Sequence, residues 1–555
     1  MVAEFREDIE SGSTSDSLDP EHLSEILPRF QRLVHRAAEC FDAFLVDLSG
    51  HRAVLSTGYP QAQEDAAARA ASAALEITTG WRRIRADLEP GRGGDLEVHG
   101  GIHTGSAVVL LADGDRHERL VLGRTLDVAI FVRKKAPAGL ILLSDTARQV
   151  VARHREILLT AFQATSATDE PELFQLNGIA ENRPFESTRH RPIRGRDREL
   201  GFLEACHRTA SEGIGQAALV SAGAGVGKTF LVQALRNRCV EGTPWLEVRC
   251  RAYERHRALR PIAALLHQVL DLVVDPSLGT REERIETWVE VLDLPSDVFR
   301  PALMSLVGSS VQRCRLEVDA VELQRLETVA TEVLFEALER LGRRRAPVLI
   351  FEDLQWADGA TWTVLDRLIE EAEEMPLLLI ATLRPKWSVH RSADLPKTRI
   401  HLDPLSKQDA LTLAKDILGS AEHDQDRALS VAKRSEGVPL FVEALARAKL
   451  GSGEVPPKLM DLLAAQLDRL GSAKQLAHLA SVLGRRFTLR ELAGFSSFEG
   501  IMLDHEFERL VDAEVFARDP AHEGTWTFRS PLLRDAARSS WLDGDRKPPH
   551  RGTVI

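Results

Sequence analysis

Cysteine is scarce and unpaired in this chain. Five cysteines (Cys40, Cys206, Cys239, Cys250 and Cys314) are spread over 555 residues. Their number is odd and no two stand as Cys-x-x-Cys, which excludes a disulfide framework and a zinc knuckle and leaves reduced thiols as the expectation. Long apolar runs are also missing. Pro347–Phe351 and Pro376–Ala381 are the length of strands, far below the roughly 18 residues of a bilayer-spanning helix, so no membrane span is expected. The amino terminus, MVAEFREDIESGSTSD, is acidic and polar, where a secretory leader would be basic and then apolar. A cytoplasmic location follows as the expectation. Positive charge is in deficit, with 71 Lys+Arg against 83 Asp+Glu for a net of -12. That balance repels phosphate backbones unless a local patch overrides it, and argues against nucleic-acid binding.

What is present is the composition of a folded protein, 44% apolar and 28% charged. At about 150 residues per domain the length predicts three or four domains. Glu64–Ile77 (EDAAARAASAALEI) is alanine-rich and predicts a helix, and Glu97–Leu111 predicts strand, glycine turn, strand. Residues 166–196 are polar and broken by Pro and Gly, which marks a linker with a boundary near Asn182. Ala217–Ser221, Trp245–Val248, Pro347–Phe351 and Pro376–Thr382 are short apolar runs separated by helical sequence, the pattern of a parallel α/β sheet. Between Leu326 and Leu341 apolar residues recur at helical spacing and Gly342 follows as a stop. Beyond about residue 405 strands are expected to fade and short amphipathic helices to dominate, with Gly451–Pro457 as a second hinge.

Chemistry concentrates at Ser221–Thr229, SAGAGVGKT. An apolar strand precedes it and the helical FLVQALRNR follows it, which is the strand, glycine loop, helix context of a P-loop. Gly223, Gly225 and Gly227 let backbone N–H groups turn inward as an anion nest, and the positive end of the following helix points at the same spot. Lys228 is suited to bridge β- and γ-phosphate oxygens, and the Thr229 hydroxyl to ligate Mg²⁺. The usual first glycine is Ala222, which is tolerable only at negative φ. A second element, VLIFED at Val348–Asp353, is a buried strand ending in two acids. There Glu352 is expected to hold Mg²⁺ and Asp353 to orient the attacking water, because metal and nucleophile must sit on opposite sides of the γ-phosphate.

Together GRDREL at Gly195–Leu200, AGAGVGKT, FEDLQWAD at Phe351–Asp358, ATLRP at Ala381–Pro385 and EGVPLFVEAL at Glu436–Leu445 resemble the STAND branch of AAA-like P-loop ATPases, over residues 190 to about 540. The resemblance implies ATP or ADP and Mg²⁺ as ligands. It places Gly195 and Arg196 near adenine and ribose, and Gly223, Gly225, Val226, Gly227, Lys228 and Thr229 around the phosphates. It further implies that Arg384 senses the γ-phosphate and that Gly437 and Pro439 belong to a lid motif touching nucleotide.

Residues 40–175 are similar to the class III adenylate/guanylate cyclase catalytic domain, through GYPQAQEDAAARAASAALEI, VHGGIHTGSAVV, ERLVLGRTLDVAIFV and APAGLILLSDTARQV. A ferredoxin-like framework is implied. Cyclisation in that family needs two Mg²⁺ held by two aspartates of one protomer, with an asparagine and an arginine from the other. Asp8 matches the first metal position, with one extra residue in its spacing to the glycine. The second falls at Gly50-His51-Arg52, where no carboxylate stands. Asp127 occupies the asparagine position, Phe131 the arginine position and Leu120 the purine-selecting position. Loss of such an arginine costs about 10³-fold in rate, so the domain is expected to be catalytically impaired and to serve dimerisation or sensing. Pairing two copies does not repair it, since each composite site would still lack groups from both sides.

The carboxy-terminal stretches Met460–Phe495 and Trp526–Trp541 resemble the winged-helix segment that follows a STAND ATPase. Residues 456–555 hold 14 Lys+Arg and 14 Asp+Glu, without the basic stripe that DNA contacts demand. The expected organisation is α/β and α+β: a cyclase homology domain at 1–180, a P-loop ATPase parallel sheet at 184–405, a helical lid at 406–455 and a winged-helix-like domain at 456–555. The expected function is an ATP-binding, slowly hydrolysing signal-transduction switch, with a homo-oligomer or protein partner engaged through the cyclase-like domain. The alternatives are an active adenylate cyclase regulated by the ATPase, and a winged-helix transcriptional regulator.

Overall fold

The computed structural model describes residues 2–7, 20–59, 65–86, 88, 96–105, 107–111, 119–152, 157–162, 171–179, 193–251, 254–255, 257–275, 279–307, 319–385, 396, 398–418, 424–447, 460, 463–464, 467, 470–484, 486–496, 500–513, 515–519, 522 and 524–542. The boundary expected near Asn182, the hinge at Gly451–Pro457 and the candidate Asp8 lie outside them.

The first part is built on β1 (Val2–Glu7), β2 (Phe44–Ser49), β3 (Arg52–Ser56) and β4 (Leu96–Ile102). Helices Pro20–Cys40 and Ala66–Ala86 connect β1 to β2 and β3 to β4. The order β2-β3-β1-β4, antiparallel throughout, is a β-α-β-β-α-β arrangement in which each βαβ unit straddles a strand of the other. Beyond β4 the sheet continues through β7 (Ile141–Ser144), β9 (Leu173–Ile179) and β8 (Ile157–Phe162). β5 (Val108–Leu111) and β6 (Arg119–Leu122) form a separate two-stranded ribbon.

The alanine-rich helix is buried along most of its length because alanine lets it lie close to the sheet, and Trp81 near its end donates Nε1–H to the Leu96 carbonyl at 2.7 Å. Within Glu97–Leu111, where a glycine turn is expected, β4 ends at Ile102 and β5 begins at Val108, with Gly105 between them. Gly100 and Gly101 stay in β4, since helix Arg124–Lys135 crosses so closely that a Cβ on Gly101 would stand 2.3 Å from the Arg133 nitrogen.

The second part is a five-stranded parallel sheet in the order β11 (Trp245–Arg249), β12 (Val348–Glu352), β13 (Leu378–Leu383), β10 (Gln216–Ser221), β14 (Thr398–His401). β12 and β13 are buried at every residue, as strands covered by helices on both faces must be. The helix expected over Leu326–Leu341 runs Ala320–Gly342, capped by Asp319, whose carboxylate accepts from the Glu322 N–H. Register aligns Arg249 with Glu352 and Ser221 with Leu383. The carboxyl ends of four strands therefore meet at one edge, where ligands of such sheets bind.

Beyond residue 405, helices Lys407–Leu418, Asp424–Arg434 and Pro439–Arg447 share one apolar core with helices Lys474–Leu483, Leu489–Phe495, Gly500–Asp512 and Pro531–Leu542. Strands do not fade as expected. β15 (Arg486–Thr488), β17 (Thr525–Phe528) and β16 (Phe516–Arg518) form an antiparallel sheet. It is held by Phe487, Phe516 and Phe528, whose rings pack edge to face at 4.8–6.1 Å. Strands of three or four residues are too short to show a period of two in the sequence.

The loop after β11 reaches the first part. Arg257 lies over the Phe41 ring at 5.2 Å and pairs with Glu76 at 3.4 Å, both partners nearly buried. Among the described residues no helix is long and apolar enough to cross a membrane.

Candidate functional site

At the end of β10 the chain turns through residues 222–227 into helix Lys228–Arg236. Ala222 is fully buried, takes no positive φ and donates its N–H to the Leu383 carbonyl at 3.3 Å. It continues the sheet, so the missing glycine costs nothing. The left-handed turn falls on Gly225 (φ 75) and Gly227 (φ 109). At Gly225 a Cβ would also stand 2.9 Å from the Leu440 Cβ, because the Leu440 N–H donates to the Gly225 carbonyl at 3.3 Å. The loop thus supports the start of helix Pro439–Arg447.

Lys228 Nζ turns back to donate to the carbonyls of Ala222 at 2.9 Å and Gly223 at 3.3 Å. Burial pulls its pKa down, against the attraction of Asp353.

At the end of β12, Glu352 is 2% exposed and its Oε1 is buried without a hydrogen-bond partner. Burial pushes its pKa up to about 7, against the pull of Arg249 and a hydrogen bond from Thr229. Asp353 adopts the left-handed conformation (φ 55, ψ 45), an uncommon one for a residue with a side chain that aspartate tolerates better than most. Its N–H donates to Thr382 Oγ1 at 3.0 Å and its Oδ1 accepts from Gln355 at 3.1 Å. These bonds fix the carboxylate at the cavity wall.

The unsatisfied Glu352 oxygen, the neighbouring Thr229 hydroxyl and Asp353 make an all-oxygen set that fits Mg²⁺, which takes few protein ligands and completes its shell with water and phosphate. Residues Glu352 and Thr229 would hold the ion, and the chemistry it would supply is neutralisation of phosphate charge.

A cavity of about 470 Å³ opens over this edge, within the range of small-molecule sites. Of the residues singled out from sequence, Arg196, Gly225, Val226, Gly227, Lys228, Thr229, Asp353, Arg384 and Pro439 line it. Gly195, Gly223 and Glu352 do not. Gly195 carries φ 63 at the entry to helix Asp197–Ser211 and faces Asp409. Gly223 is engaged through its carbonyl, and Glu352 sits behind the wall. Arg196 is 7% exposed and donates to the carbonyls of Val226 and Asp403, so it braces the loop as well as lining the space. Gly437 stands outside the lining. Its φ of 79 and a Leu405 carbonyl that would lie 2.2 Å from a Cβ fit glycine at this position.

Sequence reasoning missed Arg249, Arg194 and Glu443, all of which line the cavity. Arg249 ends β11, with Nε 3.2 Å from Asp353 Oδ2 and 3.6 Å from Glu352 Oε2. The available signal was its place as the last residue of a strand of the parallel sheet.

In the first part, Gly50 and His51 form the turn between β2 and β3 (Gly50 φ 57). Arg52 pairs with Asp47 at 3.1 Å, and the Ser49 hydroxyl also donates to Asp47. The acid nearest the hairpin is thereby occupied and held below its ordinary pKa. Asp127 and Phe131 lie exposed one turn apart on helix Arg124–Lys135, with Lys135 over the Phe131 ring. Leu120 lies in β6 opposite Leu110. Among the described residues no group of three or more His, Cys, Asp or Glu could hold a metal ion.

Residues 192–380 match the AAA ATPase domain family, so an AAA ATPase domain contains the loop, both acids, β10 to β12 and the start of β13. An uncharacterized protein of Rhizobium meliloti (strain 1021) is 23% identical over 573 residues and 96% of this chain. The chain spans about half the length of that curated relative, 53%.

The amino-terminal part is similar to solved class III cyclase domains. The guanylyl cyclase Cya2 is 20% identical, with 33% of this chain and 94% of that chain covered at a TM-score of 0.27. The adenylyl cyclase CyaB from P. aeruginosa is also 20% identical, with 32% and 91% covered at 0.27.

Proposed function

We propose that the chain is a nucleotide-dependent switch of the STAND type, binding ATP or ADP with Mg²⁺ at the edge of the parallel sheet. One observation carries this reading: Lys228, Thr229, Asp353 and Arg384 surround a single cavity that is roofed by Pro439 and Leu440 of the helical segment. A ligand there touches both the AAA domain and the helices that follow it. Lys228 leaves the loop carbonyls for phosphate oxygens, a charge-assisted exchange. Arg384, at the end of β13, binds the terminal phosphate. Asp353, fixed by Thr382 and Gln355, accepts a proton from or orients the attacking water. Glu352 and Thr229 hold the cation.

In this reading helices 407–447 act as a lid, and the helices with β15–β17 act as a winged-helix-like element packed against the lid rather than on DNA. The first part is a ferredoxin-like cyclase homology domain that has kept its framework without turnover and serves regulation or pairing in the cytoplasm. Moving such a switch from 1:99 to 99:1 takes about 5.5 kcal/mol of differential affinity, which a few charged contacts made in one state supply.

Calorimetric titration of ATP and ADP under Mg²⁺ into the full chain and into Lys228→Ala tests the reading. Micromolar binding by the wild type and a loss of about 100-fold or more in the variant are expected for a charge-assisted phosphate contact. Equal binding by both proteins would remove it.

A further inference from the structure

We infer that Arg249 is a positioning residue that serves as counter-ion to Glu352 and Asp353 in the resting site and opposes the binding of a divalent cation at Glu352. The inference rests on the nucleotide-binding reading and adds to it a control on when the cation enters.

The geometry is specific to the strand register. β11 pairs with β12 so that Arg249 stands opposite Glu352, and its Nε faces one oxygen of each acid, at 3.6 Å and 3.2 Å. Lys228, another cation of the same cavity, is turned toward two carbonyls of its own loop. Arg249 makes the near pairing with the buried Glu352.

A dication held at the partnerless Glu352 Oε1 lies beside the Glu352 and Asp353 oxygens that Arg249 faces, and a guanidinium within 4 Å of those oxygens repels it. The two cannot both bind at full strength. The Arg249 side chain is 48% exposed, so it can leave without breaking packed core. It also lines the cavity together with Lys228, and polyphosphate oxygens there offer it new acceptors. A planar guanidinium with several donors can bridge two carboxylates and afterwards bind phosphate, which a lysine ammonium does less well.

Opposition of this kind has a signature that a merely structural arginine lacks: removing it strengthens cation binding. The test is Mn²⁺ binding to the nucleotide-free full chain at about pH 8, followed by the paramagnetic signal of free Mn²⁺. An opposite charge at this distance is worth one or more decades of affinity, so Arg249→Gln is expected to bind Mn²⁺ about tenfold or more tightly than wild type. Arg249→Lys, which keeps the charge on a different head, should give a smaller gain. Adding Glu352→Gln to Arg249→Gln should abolish the gain.

Unchanged or weaker Mn²⁺ binding by a folded Arg249→Gln protein overturns the inference, and for a variant that fails to fold the same comparison is made with Arg249→Lys. ATP binding measured in parallel separates the two layers. A wild type without ATP affinity defeats the nucleotide reading, whereas a wild type that binds ATP while Arg249→Gln gains no cation affinity defeats this inference alone.

Discussion

Glu352 provides the sharpest test of how the site is built, through stability rather than activity. Its carboxyl is buried at the end of β12 with one oxygen unpartnered, and its pKa is pushed up from 4.5 to about 7. At 1.36 kcal/mol per decade of proton affinity, the charged form costs the folded state about 3 kcal/mol relative to the unfolded chain. Below pH 4.5 the group is protonated in both states and contributes nothing. Between pH 4.5 and 7 the folded state holds more protons, so this contribution to stability falls as pH rises. Above 7 the whole cost is present.

Glu352→Gln keeps the shape and removes the charge. In nucleotide-free, metal-free protein at about pH 8 it should therefore stabilise the domain by about 3 kcal/mol. The gain should shrink as pH is lowered and vanish near the ordinary carboxyl pKa. Urea unfolding of wild type and variant across this range, followed by tryptophan fluorescence, measures it. A Gln variant less stable than wild type at high pH, or a gain independent of pH, would refute the claim that the site keeps a strained buried acid.

Two further outcomes are expected. Gly437→Ala places a Cβ 2.2 Å from the Leu405 carbonyl at φ 79, so it should destabilise the helical segment by about 2 kcal/mol or more. Limited proteolysis, with urea unfolding for the magnitude, would register the change. The Arg257–Glu76 pair is 11% and 7% exposed, so Arg257→Ala should cost about 3–5 kcal/mol by leaving a buried charge alone. Adding Glu76→Gln should recover much of that loss, and unfolding of the single and double variants supplies the double-mutant cycle.

Much of the site was legible because its chemistry is local. A glycine loop between an apolar strand and a helix is written in consecutive residues, and Lys228, Thr229, Asp353 and Pro439 all come to the cavity. The fully apolar β12 and β13 announced themselves, since strands covered on both faces need continuous apolar runs. Less legible were elements whose form depends on neighbours. Gly101 belongs to β4 because a helix packs across the strand there and leaves no room for a Cβ. The carboxy-terminal strands are too short to show a period. Arg249 carries no motif, and its meaning depends on which strand lies beside it.

Short motifs and hydrophobic period determined the parallel sheet and the phosphate-type loop, because each is a property of neighbouring residues in one chain segment. Only the tertiary structure decided that Glu352 lies behind the cavity wall while Asp353 lines it, that Arg249 faces both acids, and that Arg257 joins the AAA domain to helix Ala66–Ala86. Those contacts join residues roughly a hundred to nearly two hundred positions apart. Strand order and burial, rather than sequence distance, set which charges meet and how strongly they interact.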